Sequence, residues 1–215
     1  GLDARNEQWR GAINSLNIAP KDSKAWALNA PAELAYHLET SAFNMRRACL
    51  EALPAVLCAE VQSAAGSTEA GIVLNDLDLS DFDAFVAAAL DHPASLQGKL
   101  SANGQFTLSS NGDIRGQAAL ALPTFVMRTH PQSPRTIFEM SALSLNLTMD
   151  PKSAMVSLDS KVADSGYLRG EIVVSNPSEV DGELAGNFSL NLPDITVLSL
   201  FTDQVVSPKG VVTGQ

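Results

Sequence analysis

Apolar and polar residues alternate along most of the chain after residue 98. Such a period of two is typical of β-strands that have one apolar and one polar face. Turn-forming residues separate the alternating stretches, and short connections favour antiparallel pairing of neighbours in the chain. The sequence therefore predicts an all-β fold. The predicted turns are Ser110-Asn111-Gly112, Asp150-Pro151-Lys152, Asp164-Ser165-Gly166 and Asn176-Pro177-Ser178.

The alternation divides the side chains of each predicted strand between two faces. One face is apolar and free of charge, whereas charged residues such as Lys99, Arg115 and Glu171 fall on the other. The filled core of a β-sandwich and an open apolar groove both show this division. Small residues at the centres of the apolar faces and an aromatic content of 6% favour a groove that is lined but not filled. Those small residues are Ala102, Gly104, Gly116, Ala118, Gly170, Gly182 and Gly186.

We therefore predict an elongated, curved antiparallel sheet, a half-pipe or β-taco, with an apolar concave groove and one or two short helices. An apolar groove of this kind suits acyl chains, because burying each methylene contributes about 0.8 kcal/mol. The residues predicted to line the groove are Leu100, Ala102, Phe106, Leu108, Ile114, Ala118, Leu120, Leu122, Leu143, Leu145, Leu147, Met149, Val156, Leu158, Leu168, Ile172, Val174, Leu184, Phe188 and Leu190.

Two segments interrupt the alternation and carry helical signals. The first covers about residues 81–90, with Ser80 as the predicted N-cap and Asp83 in the first turn, and it should end before Pro93. The second begins near Asp194, where a β-branched run weakens the helical tendency. Residues 77–82 and 190–195 resemble each other, which indicates either an internal repeat or a coincidence.

A repeat would divide the chain into two regions. Residues 1–75 would form an N-terminal β region that includes a strand over residues 34–38. Residues 76–215 would hold a unit of one short helix plus antiparallel strands, with the next unit beginning near 194–215. Because this second copy stops at Gln215 and the chain lacks an initiating Met, we expect a segment of a longer protein.

The only two cysteines, Cys49 and Cys58, flank a predicted turn at Ala52-Leu53-Pro54. If the flanking segments return alongside each other, the two sulfurs come within bonding range. A disulfide would imply an oxidising compartment such as the periplasm. Two free, buried thiols in a cytosolic protein are the alternative that the sequence leaves open.

Composition and motifs exclude several function classes. The net charge is −10 and the few basic residues are scattered, so the chain lacks the basic stripe that nucleic-acid binding requires. His37, His92 and His130 are far apart and lack metal-ligand spacing. The cluster of Asp76, Asp78, Asp81 and Asp83 lacks the glycine and glutamate of a calcium loop and instead suits a helix N-terminus. We find no catalytic motif and predict no cofactor, no metal and no enzymatic activity.

Several spaced motifs resemble those of the TamB proteins, and together they cover essentially the whole chain. They are Trp9 and Gly11, Trp26, the pair Cys49 and Cys58, the 77–82 segment ahead of Leu96-Gln97-Gly98, Leu184-Ala185-Gly186, and Pro208-Lys209-Gly210. The resemblance implies a periplasmic β-taco anchored in the inner membrane of a Gram-negative bacterium. It further implies a structural Cys49–Cys58 disulfide, phospholipid cargo, an outer-membrane barrel partner (TamA) and a role in autotransporter assembly.

Three hypotheses about function follow. The first is a conduit that carries phospholipid acyl chains between the inner and outer membranes. The second is a scaffold or chaperone module that assists outer-membrane protein assembly by strand pairing at open sheet edges. The third is an adhesin-like solenoid or a jelly-roll domain with an ordinary filled core. A hydrolase is the least favoured class, because the sequence offers no nucleophile and base in a recognisable arrangement.

Overall fold

The computed structural model describes residues 2–3, 7–20, 23–64, 66–90, 94–129, 136–177, 183–192 and 212–214. The first eight strands are β1 (Leu2–Asp3), β2 (Gln8–Ile13), β3 (Asn17–Ile18), β4 (Trp26–Leu28), β5 (Ala32–His37), β6 (Ala42–Ala52), β7 (Ala55–Ala64) and β8 (Ser67–Asp78). A 3-10 turn (Leu79–Phe82) and helix α1 (Asp83–Leu90) follow. The remaining strands are β9 (Ala94–Ser109), β10 (Ile114–Thr129), β11 (Thr136–Met149), β12 (Ser153–Val162), β13 (Gly166–Ser175), β14 (Leu184–Leu192) and β15 (Val212–Gly214).

All fifteen strands belong to one open, curved antiparallel sheet, in which almost every strand pairs with its neighbours in the chain. The exceptions surround β3 and β4, which pair with each other: β2 pairs with β5, and β4 pairs with the C-terminal half of β6, whose N-terminal half pairs with β5. The predicted all-β half-pipe is confirmed. Within the described ranges no second sheet packs on this one, which argues against the sandwich and jelly-roll alternatives. The first three predicted turns lie between consecutive strands as expected, and Asn176 and Pro177 of the fourth follow β13, whereas its Ser178 lies outside the described residues.

Bulges shift the alternation at several points in the sheet, three of which lie in β6, β8 and β11. In β6 the pairing moves from Met45 to Ala48, in β8 from Leu74 to Leu77, and in β11 from Ser141 to Ser144. In β8 and β11 the extra residue, Asp76 or Ala142, adopts a positive φ. Each bulge adds one residue to one strand and bends it, so that apolar residues on both sides of the bulge keep to one face.

The first predicted helix is confirmed, but its predicted N-cap is wrong. Asp78, not Ser80, caps the 3-10 turn: its carboxylate accepts hydrogen bonds from the Ser80 backbone N–H at 3.0 Å and from the Ser80 hydroxyl at 2.7 Å. A carboxylate can accept both donors at once, whereas Ser80 lies within the turn and supplies them. The Asp83 carboxylate accepts a bond of 2.6 Å from the Leu96 backbone N–H, which ties α1 to β9.

The disulfide interpretation is confirmed, and the free-thiol alternative is wrong. Cys49 in β6 lies directly opposite Cys58 in β7, and the two sulfurs are bonded. The connection at Leu53 and Pro54 forms the predicted tight turn of the β6–β7 hairpin.

Some sequence-based predictions fall outside the described residues. They concern the second helix near Asp194, Gly182, Gly210, His92 and His130. The sheet continues without a break from β8 to β9, so the proposed division near residue 75 stays a prediction about sequence repeats and does not mark a gap in the hydrogen bonding.

Candidate functional site

The candidate site is the apolar face of the sheet, which follows from the pairing of the strands. Residues paired across antiparallel strands point to the same side, so their register defines rows of side chains that cross the sheet. One row, here called the long row, crosses eleven strands and contains only apolar residues and glycines. It consists of Gly11, Leu34, Met45, Val61, Ala70, Phe106, Gly116, Met149, Ala154, Val174 and Leu184.

A second row lies on the same face, four residues away from the long row along most strands, with one further row between the two. It crosses ten strands and consists of Leu28, Leu50, Leu57, Leu74, Ala102, Leu120, Leu145, Leu158, Gly170 and Phe188. Neither row contains a charged residue. At about 4.8 Å between neighbouring strands, the ten intervals of the long row give a continuous apolar path of about 48 Å.

The register places all twenty residues predicted to line the groove on this apolar face. The sequence analysis did not identify the residues that the N-terminal strands contribute to the apolar face. The missed residues are Trp9, Leu28, Leu34, Tyr36, Phe43, Met45, Leu50, Leu57, Val61, Ala70, Ile72 and Leu74. Their alternation is difficult to recognise because Val56, Cys58 and Val73, on the opposite face, are also apolar, and because the β6 bulge at Arg46 and Arg47 shifts the period.

Most of the predicted lining residues are half-buried, which distinguishes this face from a filled core. Of those twenty residues only Leu122, which is 5% exposed, counts as buried, whereas Leu108, Ile114, Leu184 and Phe188 are exposed. Side chains in neighbouring cross-strand rows shield one another without excluding solvent. Half-burial of these leucines and valines is therefore consistent with an open apolar face.

Glycines on the apolar face have a different role from the one that the sequence suggested. They do not leave empty space, because aromatic rings cover several of them. A Cβ built on Gly116 or on Gly170 would overlap the ring of its cross-strand partner, Phe106 or Phe188. The rings therefore lie flat against the sheet. A ring in this position takes up little of the volume of the groove. The groove therefore stays open because the aromatic rings lie flat, and not because the glycines lack side chains.

The opposite face is polar. It carries the ion pair between Arg169 and Asp159, at 3.3 Å, and an open depression of about 730 Å³. Charged and amide side chains line much of this depression, including Glu60, Glu69, Arg47, Arg115, Gln62, Gln105 and Gln117. An alkyl chain bound there would bury these polar side chains without hydrogen-bond partners, which is unfavourable. The apolar face therefore suits an alkyl chain better than the polar face does.

Within the described ranges we find no cluster of His, Cys, Asp or Glu that could hold a metal ion. No helix in that part of the chain has the length and apolar character needed to cross a bilayer.

His37 lies on β5, where its Nε2 is 2.9 Å from the Gln8 side-chain amide nitrogen. On the apolar face the buried Ser160 hydroxyl donates to backbone carbonyls, those of Lys161 at 3.2 Å and Ser141 at 3.4 Å.

Comparison with protein families connects this geometry to a known group. The model of the TamB N-terminal domain matches residues 1–215, the full length of the chain. The chain belongs to the TamB family. TamB proteins are transport and assembly modules of the cell envelope and are not a family of enzymes. Searches among curated proteins and among solved structures gave no match. The disulfide between Cys49 and Cys58 is consistent with an extracytoplasmic segment, since such bonds persist in oxidising compartments.

Proposed function

We propose that this TamB-family chain conducts phospholipid acyl chains along its apolar face, within the periplasm between the inner and outer membranes. The observation that carries the proposal is the long row, in which eleven consecutive strand positions are apolar and none is charged. The proposal includes an inner-membrane anchor and an outer-membrane barrel partner for the full-length protein, as TamB membership suggests.

The energetics of the groove favour movement along it. Each methylene that leaves water for an apolar surface contributes about 0.8 kcal/mol, and this interaction has no preferred direction. A chain that advances by one strand exchanges one set of apolar contacts for a similar set. No charged side chain on the two rows would hold a head group at a fixed position, so the free energy of the bound chain changes little along the path.

A charge placed in the groove tests the proposal. Leu147 points to the apolar face, and its neighbour Asn146 points to the polar face of the same strand. Leu147→Asp and Asn146→Asp therefore add the same charge at nearly the same place on opposite sides. We expect Leu147→Asp to lower the phospholipid that copurifies with the chain by about tenfold or more, because an uncompensated charge is costly beside an alkyl chain.

The measurement is mass spectrometry of organic extracts of the purified chain, with urea unfolding to show that both variants fold. Asn146→Asp should retain the lipid content of the unchanged protein. Equal lipid content in the two variants, or no lipid in any of the three proteins, would contradict the conduit.

The edge formed by β14 favours a second candidate function. Within the described residues, β15 pairs only with the last three residues of β14, from Leu190 to Leu192. The backbone of residues 184–189 is left without a described outer partner, and such an edge can pair with an incoming strand. Strand pairing with outer-membrane protein clients is therefore the alternative. It predicts crosslinks from photoreactive residues at positions 185 and 187 to client strands, with no dependence on lipid.

A further inference from the structure

Helix α1 and the segment before β4 flank an open pocket, here called the end chamber, at one rim of the apolar face. This end chamber has a volume of about 620 Å³, within the range of about 300–1,000 Å³ that is typical of ligand pockets. Its lining is mostly apolar, and its polar members are Ser23 and Asp81. The lining residues are Pro20, Ser23, Trp26, Leu77, Asp81, Phe82, Ala84, Phe85 and Ala88.

The end chamber is continuous with the apolar face. Leu77 lines the chamber and also pairs with Leu100, which is one of the predicted groove residues. Trp26 lies two residues before Leu28 and therefore on the same side of the sheet. An occupant of the groove can thus extend into the chamber without crossing a polar barrier at Leu77.

The two walls of the chamber are joined by an ion pair. The Lys24 ammonium lies 3.2 Å from the Asp81 carboxylate, and the Asp81 side chain is only 14% exposed. By the β4–β6 register Ala52 lies beside Trp26, and Ala52 and its partner Ala55 are buried although the sheet has a single layer. The sheet is therefore covered here, in contrast to the open central part of the groove.

Charges around the chamber select which end of an amphiphile enters. Among the described residues, four aspartates lie at or beside the adjoining turn, at positions 76, 78, 81 and 83, against two lysines, at positions 24 and 99. This excess of negative charge repels a phosphate or carboxylate head group. The described lining residues also offer no converging set of hydrogen-bond donors that would offset the desolvation of such a group.

We propose that the end chamber receives the methyl end of an alkyl chain that lies in the groove, with the acidic head group left outside, and that the pair Lys24–Asp81 holds the chamber walls together. This inference rests on the proposed conduit function. It adds a terminal subsite and a direction for the bound chain, since the tail points toward α1 and the head group toward the opposite rim or along the groove.

Two photoreactive forms of hexadecanoic acid test the orientation in the unchanged protein. One carries a diazirine at the methyl end, and the other carries it beside the carboxyl group. After irradiation and digestion, mass spectrometry should find the methyl-end label on α1 or on the peptide containing Trp26, and the carboxyl-end label on groove strands only. Preferential labelling of the chamber by the carboxyl-end probe would overturn the proposal.

A pair of tryptophan variants provides the control. Ala84 and Ala89 are both exposed residues of α1, but Ala84 lines the chamber and Ala89 does not. Ala84→Trp should fill the chamber and lower its labelling by about tenfold, because several methylenes lose their burial. Ala89→Trp should not change it. Labelling of the groove strands without labelling of the chamber would contradict this inference alone, whereas absence of label from the entire apolar face would contradict the conduit as well.

Discussion

The ring of Phe188 lies against Gly170, its direct partner on the neighbouring strand, so closely that any larger residue at position 170 would overlap it. Phe106 has the same relationship with Gly116. Covering a glycine with an aromatic ring compensates for the side-chain packing that glycine lacks in a strand. In a single-layer sheet this arrangement stabilises the strand pair and keeps the ring close to the floor of the groove.

Replacing Gly170 should therefore destabilise the sheet through the ring of Phe188. We expect Gly170→Val to lower the free energy of unfolding by about 1–3 kcal/mol, because the added methyl groups displace the ring. In a Phe188→Ala background the same change should cost much less, since the space is free. Urea unfolding of the two single variants and the double variant gives the coupling energy, and additive effects would show that the contact is energetically irrelevant.

The fold was predictable because it depends on a local signal. Alternation from Leu100 to Leu190 identified the strands and their apolar face, and the four turns fixed neighbour pairing. The positions where this signal changes phase were not predictable. At Ala142 a residue with positive φ shifts the apolar side from even to odd positions along the chain, and no glycine marks the site. The ring-on-glycine contacts also required the register, because Gly170 and Phe188 are adjacent only after pairing.

Burial should separate structural leucines from groove leucines in a stability measurement. Leu122 is buried near Gly98 and Leu79, whereas Leu108 is 46% exposed on the same face. We expect Leu122→Ala to lower the free energy of unfolding by about 2–5 kcal/mol and Leu108→Ala by less than about 1 kcal/mol. Similar large losses at both positions would indicate a filled core in place of an open groove. Chemical denaturation of both variants provides the comparison.

The disulfide should contribute to stability by restricting the unfolded chain. It joins Cys49 and Cys58, which are nine residues apart, so its removal should cost about 2–3 kcal/mol. Treatment with a reductant should lower the urea midpoint of the unchanged protein. The double variant Cys49→Ser, Cys58→Ser should start at the lower midpoint and not respond to reductant, and a midpoint that reductant leaves unchanged in the parent would contradict the prediction.

The cap at Asp78 should be visible in its titration. Hydrogen bonds from the Ser80 hydroxyl and then from the Ser80 backbone N–H lower the pKa of Asp78 below its ordinary value of 3.8. A lowered pKa means that the charged form is favoured in the folded state. The resulting stabilisation is complete above the ordinary value and is lost as the pH falls through the folded value.

Ser80→Ala removes the larger of these two hydrogen bonds. The pKa of Asp78 should rise toward its ordinary value in this variant, as followed by NMR of the carboxyl carbon. Asp150 is the internal control, because the Lys152 backbone N–H and the Ser153 hydroxyl lower its pKa in a distant turn. An unchanged titration of Asp78, or a shift of Asp150 by the same amount, would show that Ser80 does not set the cap.

Pairing of strands in chain order has a consequence for how proteins of this architecture can change in size. Each added hairpin would extend the path by about 10 Å and return the chain to the same rim, while paired residues keep their sides. Among the described strands β12 is hydrogen-bonded to β11 and β13 alone, so an inserted hairpin would disturb mainly its own neighbours. The number of hairpins therefore sets the span of the sheet, and hairpins can be gained or lost without rebuilding the remaining strands.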